Sequence, residues 1–219
     1  MRTFRHLTLG YIKNRFIEIY HHKTYPAYPW LTHKSNEILA SYLKESDIGL
    51  EFGSGRSTLW FARHTKHLTS IEHDEGWYKK VKKMLNDNNL HNVNYHLIQM
   101  DKQDDEKACD VAYVDVVEKI DSNSLDFVLV DGVYRGLCAL KSLRVIRPGG
   151  ILIIDNVNWY LPSDSRSPNS RTMQQGPKGK IWEDLHQSIS QWRKIWTSSN
   201  VTDTALFFKP TSNDGPDTI

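Results

Sequence analysis

The sequence has little cysteine, no long apolar run and no strong excess of one charge. Cys109 and Cys138 are too few for a disulfide framework or a cysteine-rich zinc site, so we expect a reducing compartment. No apolar run approaches the roughly 20 residues that cross a bilayer, which argues against a transmembrane segment. The N-terminus also lacks the apolar core and cleavage site of a secretory signal. Together these absences predict a cytoplasmic protein.

The charge balance argues against a nucleic-acid partner. Lys and Arg number 28 against 26 Asp and Glu, and no stretch is dense enough in basic residues to follow a phosphate backbone. The 219 residues, 39% of them hydrophobic, are enough for one globular domain with a buried core. The composition leaves the oligomeric state open.

Short apolar runs alternate with amphipathic stretches through the middle of the chain. This alternation is typical of βαβ units and predicts an α/β fold whose parallel sheet is covered by helices on both faces. The apolar runs predict strands at 48–52, 67–74, 93–101, 125–132 and 151–156. The amphipathic stretches predict helices at 76–90, 137–146 and 181–192, and one over 59–64 capped by Ser57 or Thr58.

Two stretches rich in turn-forming residues interrupt this pattern. Residues 147–150, Arg-Pro-Gly-Gly, predict a turn before the fifth strand. Residues 161–180 are rich in Ser, Pro, Gly and Asn, so we predict a long mobile loop over 157–180 on the substrate side of the domain.

The two ends of the chain complete the domain organisation. Residues 192–198 and 203–210 are predicted to pair as an antiparallel hairpin at the edge of the sheet. The domain is therefore placed at 31–210, between a helical extension over 1–30 and a flexible tail over 211–219.

The N-terminal extension is basic and has apolar residues at roughly helical spacing. Glu18 is the one acidic residue within 1–23. A helix packed on the domain or on a partner accounts for this pattern, and contact of the helix with a membrane surface is the alternative.

A glycine turn with an acid before it follows the first predicted strand, in LEFGSGRSTLWFA at 50–62. Other predicted strands also end in acids, at the positions where parallel strands meet along one rim of a sheet. These acids are Glu51, Glu72, Asp74, Asp101, Asp131 and Asp155. Ligands of open α/β sheets bind at this rim, and clustered carboxylates favour a cationic ligand.

Two cofactors compete for this turn. A dinucleotide site prefers Gly-x-Gly-x-x-Gly, but Thr58 stands in the third glycine's place after Gly53 and Gly55. Glu51 would also repel a pyrophosphate, at a cost on the order of 1 kcal/mol. S-adenosylmethionine (SAM) carries a sulfonium and an ammonium that acids attract, and Glu72 can accept from the ribose hydroxyls of either cofactor. The charge argument favours SAM over a nicotinamide dinucleotide.

Four blocks of the sequence, in this order, resemble class I SAM-dependent methyltransferases. They are EFGSG at 51–55, IEHD at 71–74, LDFVLVDG at 125–132 and RPGGILIIDN at 147–156. The resemblance covers roughly residues 30–209, with Ser57 in place of the family's third glycine. It implies a Rossmann-like, seven-stranded, mostly parallel sheet with an antiparallel C-terminal hairpin strand.

The resemblance also implies which residues border SAM. The glycine turn lies at the methionine end, Glu72 holds the ribose, and a segment before the first strand covers the cofactor. The implied residues are Trp30, Thr32, Glu51, Gly53, Ser54, Gly55, Ser57, Glu72, His73, Asp101 and Asp131.

Asp131, with Asp155 and Asn156, is similar to the metal site of O-methyltransferases of the catechol and caffeoyl-coenzyme A type. That resemblance implies Mg²⁺ bound by these three residues, where it would make a substrate hydroxyl more acidic. The family's lysine beyond the first ligand is absent, and Tyr134 and Arg135 occupy this stretch. Tyr134 as a proton acceptor and Arg135 as a guide for an anionic substrate are the alternatives, so the predicted catalytic residues are Asp131, Tyr134 and Arg135.

The sequence thus predicts a SAM-dependent methyltransferase that acts on a hydroxyl of a small molecule or sugar. One form of this hypothesis includes Mg²⁺ as a second cofactor. Trp159, Tyr160, Arg166 and Arg171 lie in the predicted loop and suit a sugar, a phenol or a carboxylated molecule. A nicotinamide-dependent oxidoreductase and a SAM-binding scaffold without catalysis are the alternatives.

Overall fold

The structure is a computed structural model, and it describes residues 8–25, 27–99 and 111–211. Seven strands and seven α-helices lie within these ranges. The strands are β1 (Ile48–Phe52), β2 (His67–Glu72), β3 (Val93–Leu97), β4 (Leu125–Val130), β5 (Ile146–Asp155), β6 (Arg193–Ser198) and β7 (Asp203–Phe208). The helices are α1 (Leu9–Thr24), α2 (His33–Tyr42), α3 (Arg56–His64), α4 (Glu75–Asp87), α5 (Ala112–Asp115), α6 (Arg135–Ser142) and α7 (Gly179–Ser188).

The strands form one mixed sheet in the order β3-β2-β1-β4-β5-β7-β6. Strands β1 to β5 pair in parallel, whereas β7 runs antiparallel to both of its neighbours. The predicted fold class, a Rossmann-like mostly parallel sheet of seven strands with an antiparallel hairpin strand, is confirmed.

Both faces of the sheet are covered, as the continuous apolar strands predict. In β4, Phe127 and Leu129 face one core cluster, and Val128 and Val130 face the other. The first cluster includes residues of α2 and α3, and the second includes residues of α5, α6 and α7. Each large apolar side chain buried in this way contributes about 1.5–3 kcal/mol to folding.

The order of the strands fixes where the site lies. From β1 the chain proceeds outward to β2 and β3 and then returns to β4 on the other side of β1. The connections leave a crevice beyond the carboxyl ends of β1 and β4, which is where open α/β sheets bind ligands. Two hydrogen bonds draw the turns there together: Gly53 N donates to Ile71 O and Asp131 N donates to Phe52 O, each over 2.9 Å.

Two predicted boundaries at this rim need correction. Helix α3 begins at Arg56, so Gly55 is its N-cap and neither Ser57 nor Thr58 caps it. The Thr58 hydroxyl nevertheless accepts a hydrogen bond from Gly55 N over 2.9 Å, inside the first turn. Strand β3 ends at Leu97, and the predicted cofactor residue Asp101 lies outside the described residues.

The predicted turn at 147–150 is a bulge within a strand. Strand β5 pairs with β4 on both sides of it, at Ile146 and again from Ile151 onward. Gly149 has a φ of +77°, which side chains rarely adopt, and a bulge tolerates Pro148 without its N–H. The sequence signals were therefore correct about the backbone bend and wrong about the end of the strand. The preceding helix ends at Ser142, earlier than predicted.

The loop over 157–180 is held by its own hydrogen bonds. Asn158 Nδ2 donates to Pro168 O and to Ser170 Oγ, and Arg171 Nε donates to Gly176 O over 2.6 Å. Two short 3₁₀ helices lie in this segment, at Val157–Trp159 and Met173–Gln175. Its mobility stays a prediction, and so does that of the tail, of which 212–219 lie outside the described residues.

The predicted N-terminal helix is present as α1, and it is capped by Thr8, whose hydroxyl accepts from Tyr11 N. Leu9, Phe16 and Tyr20 on this helix are exposed. Contact of α1 with a partner or a membrane surface stays a prediction. None of the described helices combines the length and the apolar character needed to cross a bilayer.

Candidate functional site

A cleft lies at the carboxyl ends of β1, β2 and β4. It consists of two adjoining hollows of about 230 and 250 Å³ that share Ser54, Trp77 and Asp131. The other lining residues are Trp30, Gly53, Gly55, Arg56, Ser57, Glu72, His73, Asp74, Lys80, Met84, Gly132 and Val133. Most of the predicted cofactor residues therefore meet in one place.

A larger cavity, of about 530 Å³, lies between α1, α2 and the turn after β6. It is lined by Glu18 and Glu37 but by none of the acids at the strand ends. Because the predicted chemistry depends on the acids at the strand ends, we place the functional site in the cleft and not in this cavity.

The glycine turn shapes the floor of the cleft. Gly53 has a φ of +89°, and a Cβ there would lie 2.5 Å from Gly132 Cα, so the two turns can approach only as glycines. Gly55 has an extended φ and no close neighbour: the nearest atoms to its Cβ position, in Ser57 and Trp77, are 4.0 Å away. The missing side chain of Gly55 leaves room in the cleft for a ligand.

Glu51, a predicted cofactor residue, lines neither hollow of the cleft and lies in β1, directly before the glycine turn. It is fully buried, and its Oε2 accepts hydrogen bonds of 2.6 Å from the hydroxyls of Thr58 and Ser70. Since Thr58 also accepts from Gly55 N, its hydroxyl connects the Glu51 carboxylate to the glycine turn. Glu51 Oε1 has no hydrogen-bond partner among the described residues, which is a rare state for a buried polar atom.

Burial raises the pKa of Glu51 to about 7, although the hydroxyls of Ser57, Ser70 and Thr58 oppose the shift. The carboxylate is thus poised between its two charge states near neutral pH. A positively charged ligand nearby would favour the ionised form, whereas a phosphate would disfavour it. This electrostatic state fits the sulfonium and ammonium of SAM.

Glu72 is oriented by the backbone around it. Its Oε2 accepts from Ser54 N over 3.0 Å and from Ser54 Oγ over 2.7 Å. Its Oε1 accepts from His73 N over 2.8 Å and from Asp74 N over 2.9 Å. The carboxylate therefore has one fixed orientation on the wall of the cleft, beside His73, and its contact with a ribose stays a prediction.

Of the two residues predicted to cover the cofactor, the structure brings only one to the cleft. Trp30 is 57% exposed and lines the cleft, with the Arg56 guanidinium 5.4 Å from its ring centroid. Thr32 is a correction: it caps α2 and is 3% exposed. Its hydroxyl bonds to those of Ser35 and Thr197, so it joins α2 to β6 and does not face the cleft.

Sequence reasoning missed the contribution of α4. Trp77 lies in the stretch 76–90, for which the sequence predicts only an amphipathic helix, yet its Nε1 donates to Ser54 O over 2.6 Å and its ring lines the cleft. Lys80 lies with its Nζ 4.2 Å from the centroid of that ring. The available signal was the position of Trp77, in the first turn of the helix that follows an acid-ended strand.

On the other side of the cleft, Arg135 occupies the middle of the predicted metal site. Its Nη2 donates to Asp131 Oδ1 and to Asp131 O, each over 2.8 Å. Its Nη1 donates to Asp155 O over 2.6 Å and to Asn156 Oδ1 over 3.0 Å, and its Nε donates to Gly132 O over 2.9 Å. All three nitrogens of the guanidinium are engaged at the ends of β4 and β5.

Comparison with known proteins decides the family. Residues 50–157, which span β1 to the end of β5, match the family model described as a methyltransferase domain. Residues 50–157 therefore form a methyltransferase domain. No curated protein matches the sequence.

Solved structures with this fold include other methyltransferases. A methyltransferase-like protein from Silicibacter pomeroyi is 23% identical, with a TM-score of 0.55 over 83% of this chain and 88% of that one. A protein assigned as a caffeoyl-CoA O-methyltransferase from Staphylococcus aureus is 14% identical, with a TM-score of 0.56 over 90% and 99%. One from Streptococcus mutans, in complex with SAH, is 13% identical, with a TM-score of 0.53 over 80% and 96%. These likenesses establish the class I SAM-dependent methyltransferase fold and leave the substrate open.

The remaining carboxylate of the methyltransferase's predicted metal site is also engaged. Asp155 Oδ1 accepts from Thr204 Oγ1 over 2.7 Å. Burial, together with the charge of Asp131, raises the pKa of Asp155 to about 8. The carboxylate of Asp131 is thus paired with Arg135, whereas that of Asp155 is stabilised by the Thr204 hydroxyl.

The donor set therefore does not fit Mg²⁺. The ion needs oxygen ligands at about 2.1 Å, but those of Asp131 and Asn156 already accept from Arg135. An ion about 4 Å from the guanidinium would be repelled by roughly 8 kcal/mol at an effective dielectric constant of about 20. Among the described residues, no group of three His, Cys, Asp or Glu side chains is arranged to hold a metal.

Tyr134, a predicted catalytic residue, is a second correction. It is 1% exposed and belongs to the core cluster with Tyr113 and Cys138. It does not line the cleft but contributes to a separate cavity beside the first turns of α6 and α7. Tyr134 is the N-cap residue of α6, with a left-handed φ of +49°, and it directly precedes Arg135.

Proposed function

We propose that this methyltransferase transfers the methyl group of SAM to a hydroxyl of a small molecule. The observation that carries the proposal is the cleft beside the glycine turn, which is lined by the acids Glu72, Asp74 and Asp131. Clustered carboxylates favour a cationic or hydrogen-bond-donating ligand, and the methionine portion of SAM is both. Binding of SAH by the Streptococcus mutans protein of the same fold supports this choice.

The residues of the cleft have distinct parts in this proposal. Bound SAM supplies a methyl group that a nucleophile can accept without further activation of the sulfonium. Glu72 binds the ribose, Gly55 leaves the space for the cofactor, and Trp30 and Trp77 cover it from two sides. Their common task is to orient the cofactor and to exclude water.

We place the acceptor next to Asp131, which faces the cleft. A cavity of about 260 Å³ lies on the other side of Arg135, beside α6 and α7. Tyr160 and Trp182 stack there with ring centroids 4.4 Å apart, and Lys178 Nζ lies 5.5 Å from the Tyr160 ring. Aromatic and basic side chains suit a flat phenolic or carboxylated acceptor. The assignment of the Staphylococcus aureus neighbour as an O-methyltransferase supports a hydroxyl as the acceptor group.

Cofactor binding is tested first, by thermal unfolding with SAM, SAH or NAD. We expect SAM and SAH to raise the melting temperature, by linkage, and NAD to leave it unchanged. Glu72→Gln should remove the gain, while Glu75→Gln on the exposed side of α4 should retain it. A shift with NAD and none with SAM would overturn the proposal.

The acceptor group is tested by following SAH release with panels of phenols, sugars, carboxylated phenols and amines. We expect turnover with hydroxyl acceptors and none with amines of matched ring structure. Turnover confined to amines would refute O-methylation while leaving SAM binding intact. A protein that binds SAM but acts on neither panel would instead match the scaffold alternative.

A further inference from the structure

The contacts of Arg135 set this chain apart from a metal-binding arrangement of the same residues. The guanidinium is only 13% exposed and lies between the carboxylate of Asp131, the amide oxygen of Asn156 and the main-chain oxygen of Asp155. These groups belong to the two strand ends that would supply the ligands of a divalent ion. The guanidinium therefore stands where such an ion would have to lie.

We infer that Arg135 is a resident cation that replaces a divalent metal at the ends of β4 and β5, so that the site is closed to Mg²⁺. The charge that a metal would supply beside Asp131 comes from the chain itself. A guanidinium is a planar group of hydrogen-bond donors with no open coordination position. It can hold the strand ends together, but it cannot coordinate a substrate oxygen as a metal ion does.

The surroundings of the guanidinium are built to hold it. Arg135 is the first residue of α6, so its side chain starts beside the turn after β4. Asn156 Nδ2 donates to Thr202 Oγ1 over 2.6 Å, which turns the amide oxygen toward Arg135. The Asn156 amide therefore donates to a hydroxyl through its nitrogen and accepts from the guanidinium through its oxygen.

The closed site also restricts the acceptor, and this step rests on the proposed function. A metal holds a catechol through two neighbouring oxygens, whereas Arg135 has its three nitrogens engaged by protein oxygens. Vicinal diols should therefore have no advantage over isolated hydroxyls. Methyl transfer should also be insensitive to EDTA and to added Mg²⁺.

Binding of Mn²⁺ alone, followed by electron paramagnetic resonance, tests the inference without any turnover. Asp155→Asn should leave the wild type's Mn²⁺ binding unchanged, because no ion binds at this position. Arg135→Ala should bind Mn²⁺ at least tenfold more tightly than wild type, and Arg135→Ala with Asp155→Asn should lose that gain. Circular dichroism establishes that each variant is folded.

Two results of the Mn²⁺ experiment would overturn the inference: wild-type Mn²⁺ binding that Asp155→Asn abolishes, or a folded Arg135→Ala that gains no site. If Arg135→Ala does not fold, Arg135→Lys retains the charge and should still exclude Mn²⁺, and the comparison of wild type with Asp155→Asn remains decisive. A protein that excludes Mn²⁺ but transfers no methyl group would contradict the proposed function alone. Turnover that EDTA abolishes would contradict the inference alone.

Discussion

Two groups of acids at one rim of the sheet are stabilised in different ways. The β1–β2 acids, Glu51 and Glu72, accept hydrogen bonds from hydroxyls and backbone N–H groups. The β4–β5 acids, Asp131 and Asp155, have the guanidinium of Arg135 beside them. In sequence both groups look alike, as carboxylates at the ends of apolar strands. Their partners give them different chemistry.

This difference predicts which side of the rim can bind a positively charged ligand. Neutral donors stabilise a carboxylate without cancelling its charge, and Glu51 has an oxygen left over. The β4–β5 acids are already compensated, so a further cation there would meet the guanidinium. Under the proposed function, the cationic cofactor therefore binds on the β1–β2 side, with its reacting end toward Asp131, which lines both hollows of the cleft.

The two groups meet where Gly53 packs against Gly132, and a substitution there should have the largest effect. Gly53→Ala places a Cβ 2.5 Å from Gly132 Cα at a φ of +89°. Strain and overpacking together should lower the free energy of unfolding by about 3–5 kcal/mol. Denaturation in urea measures the loss, and SAH binding should disappear with it.

Gly55→Ala is the matched control for this substitution. Its Cβ would have 4.0 Å of clearance and an ordinary φ, so stability should change by less than about 1 kcal/mol. The new methyl group points into the cleft, and SAH affinity should fall even though the fold is kept. Equal stability losses in the two variants would refute the close approach of the two turns.

Removal of the resident cation should have the next largest effect. Arg135→Ala leaves Asp131 and Asn156 Oδ1 without their donor and should cost about 3–5 kcal/mol of stability. In a double-mutant cycle with Asp131→Asn, the second substitution should cost much less in the Arg135→Ala background than in wild type. Additive losses in urea denaturation would mean that the two side chains are not coupled.

The fold could be predicted because its signals are local. Strand β1 has the predicted bounds, and each parallel strand was visible as an apolar run. The bulge at 147–150 was interpreted as a turn because Pro and Gly mark a bend in either case. Only the pairing of Ile146 and Ile151 with β4 shows that the strand continues through it.

The site could be predicted only in part, because its contacts are long-range. The four-residue spacing of Asp131 and Arg135 is visible in the sequence. The bond from Arg135 to Asn156 is not, because it depends on how β4 and β5 align. Trp77 was hidden for a related reason: an amphipathic helix explains its apolar side chain, and nothing in the sequence shows that its N–H points to Ser54 O.

On the β1–β2 side, the free energy of unfolding should depend on pH because the buried carboxyl group of Glu51 titrates near neutral pH. Its pKa is about 7 in the folded protein against an ordinary 4.5, so the folded state binds the proton more tightly. The contribution to stability is therefore complete below pH 4.5 and is lost as pH rises to about 7, by about 3 kcal/mol in total. Urea denaturation across this range should show the fall.

Glu51→Gln should remove this part of the pH dependence, because the amide does not titrate. Glu75→Gln, at an exposed position of α4, should keep the wild-type slope. A Glu51→Gln profile that parallels wild type from pH 4.5 to 7 would show that Glu51 is not the group responsible. Saturating SAM should shift the wild-type fall to lower pH if the bound cation favours the ionised acid.

The smallest effect is expected from Trp77→Phe, which keeps an aromatic side chain but removes the N–H that donates to Ser54 O. One neutral hydrogen bond is worth about 1 kcal/mol, so SAH affinity measured by calorimetry should fall about fivefold if this bond holds the turn in its binding shape. Trp60→Phe, in the core between α3 and the sheet, should lower stability without weakening SAH binding. If both variants weaken SAH binding equally, the loss reflects general destabilisation, and the hydrogen bond between α4 and the glycine turn has no separate part in binding.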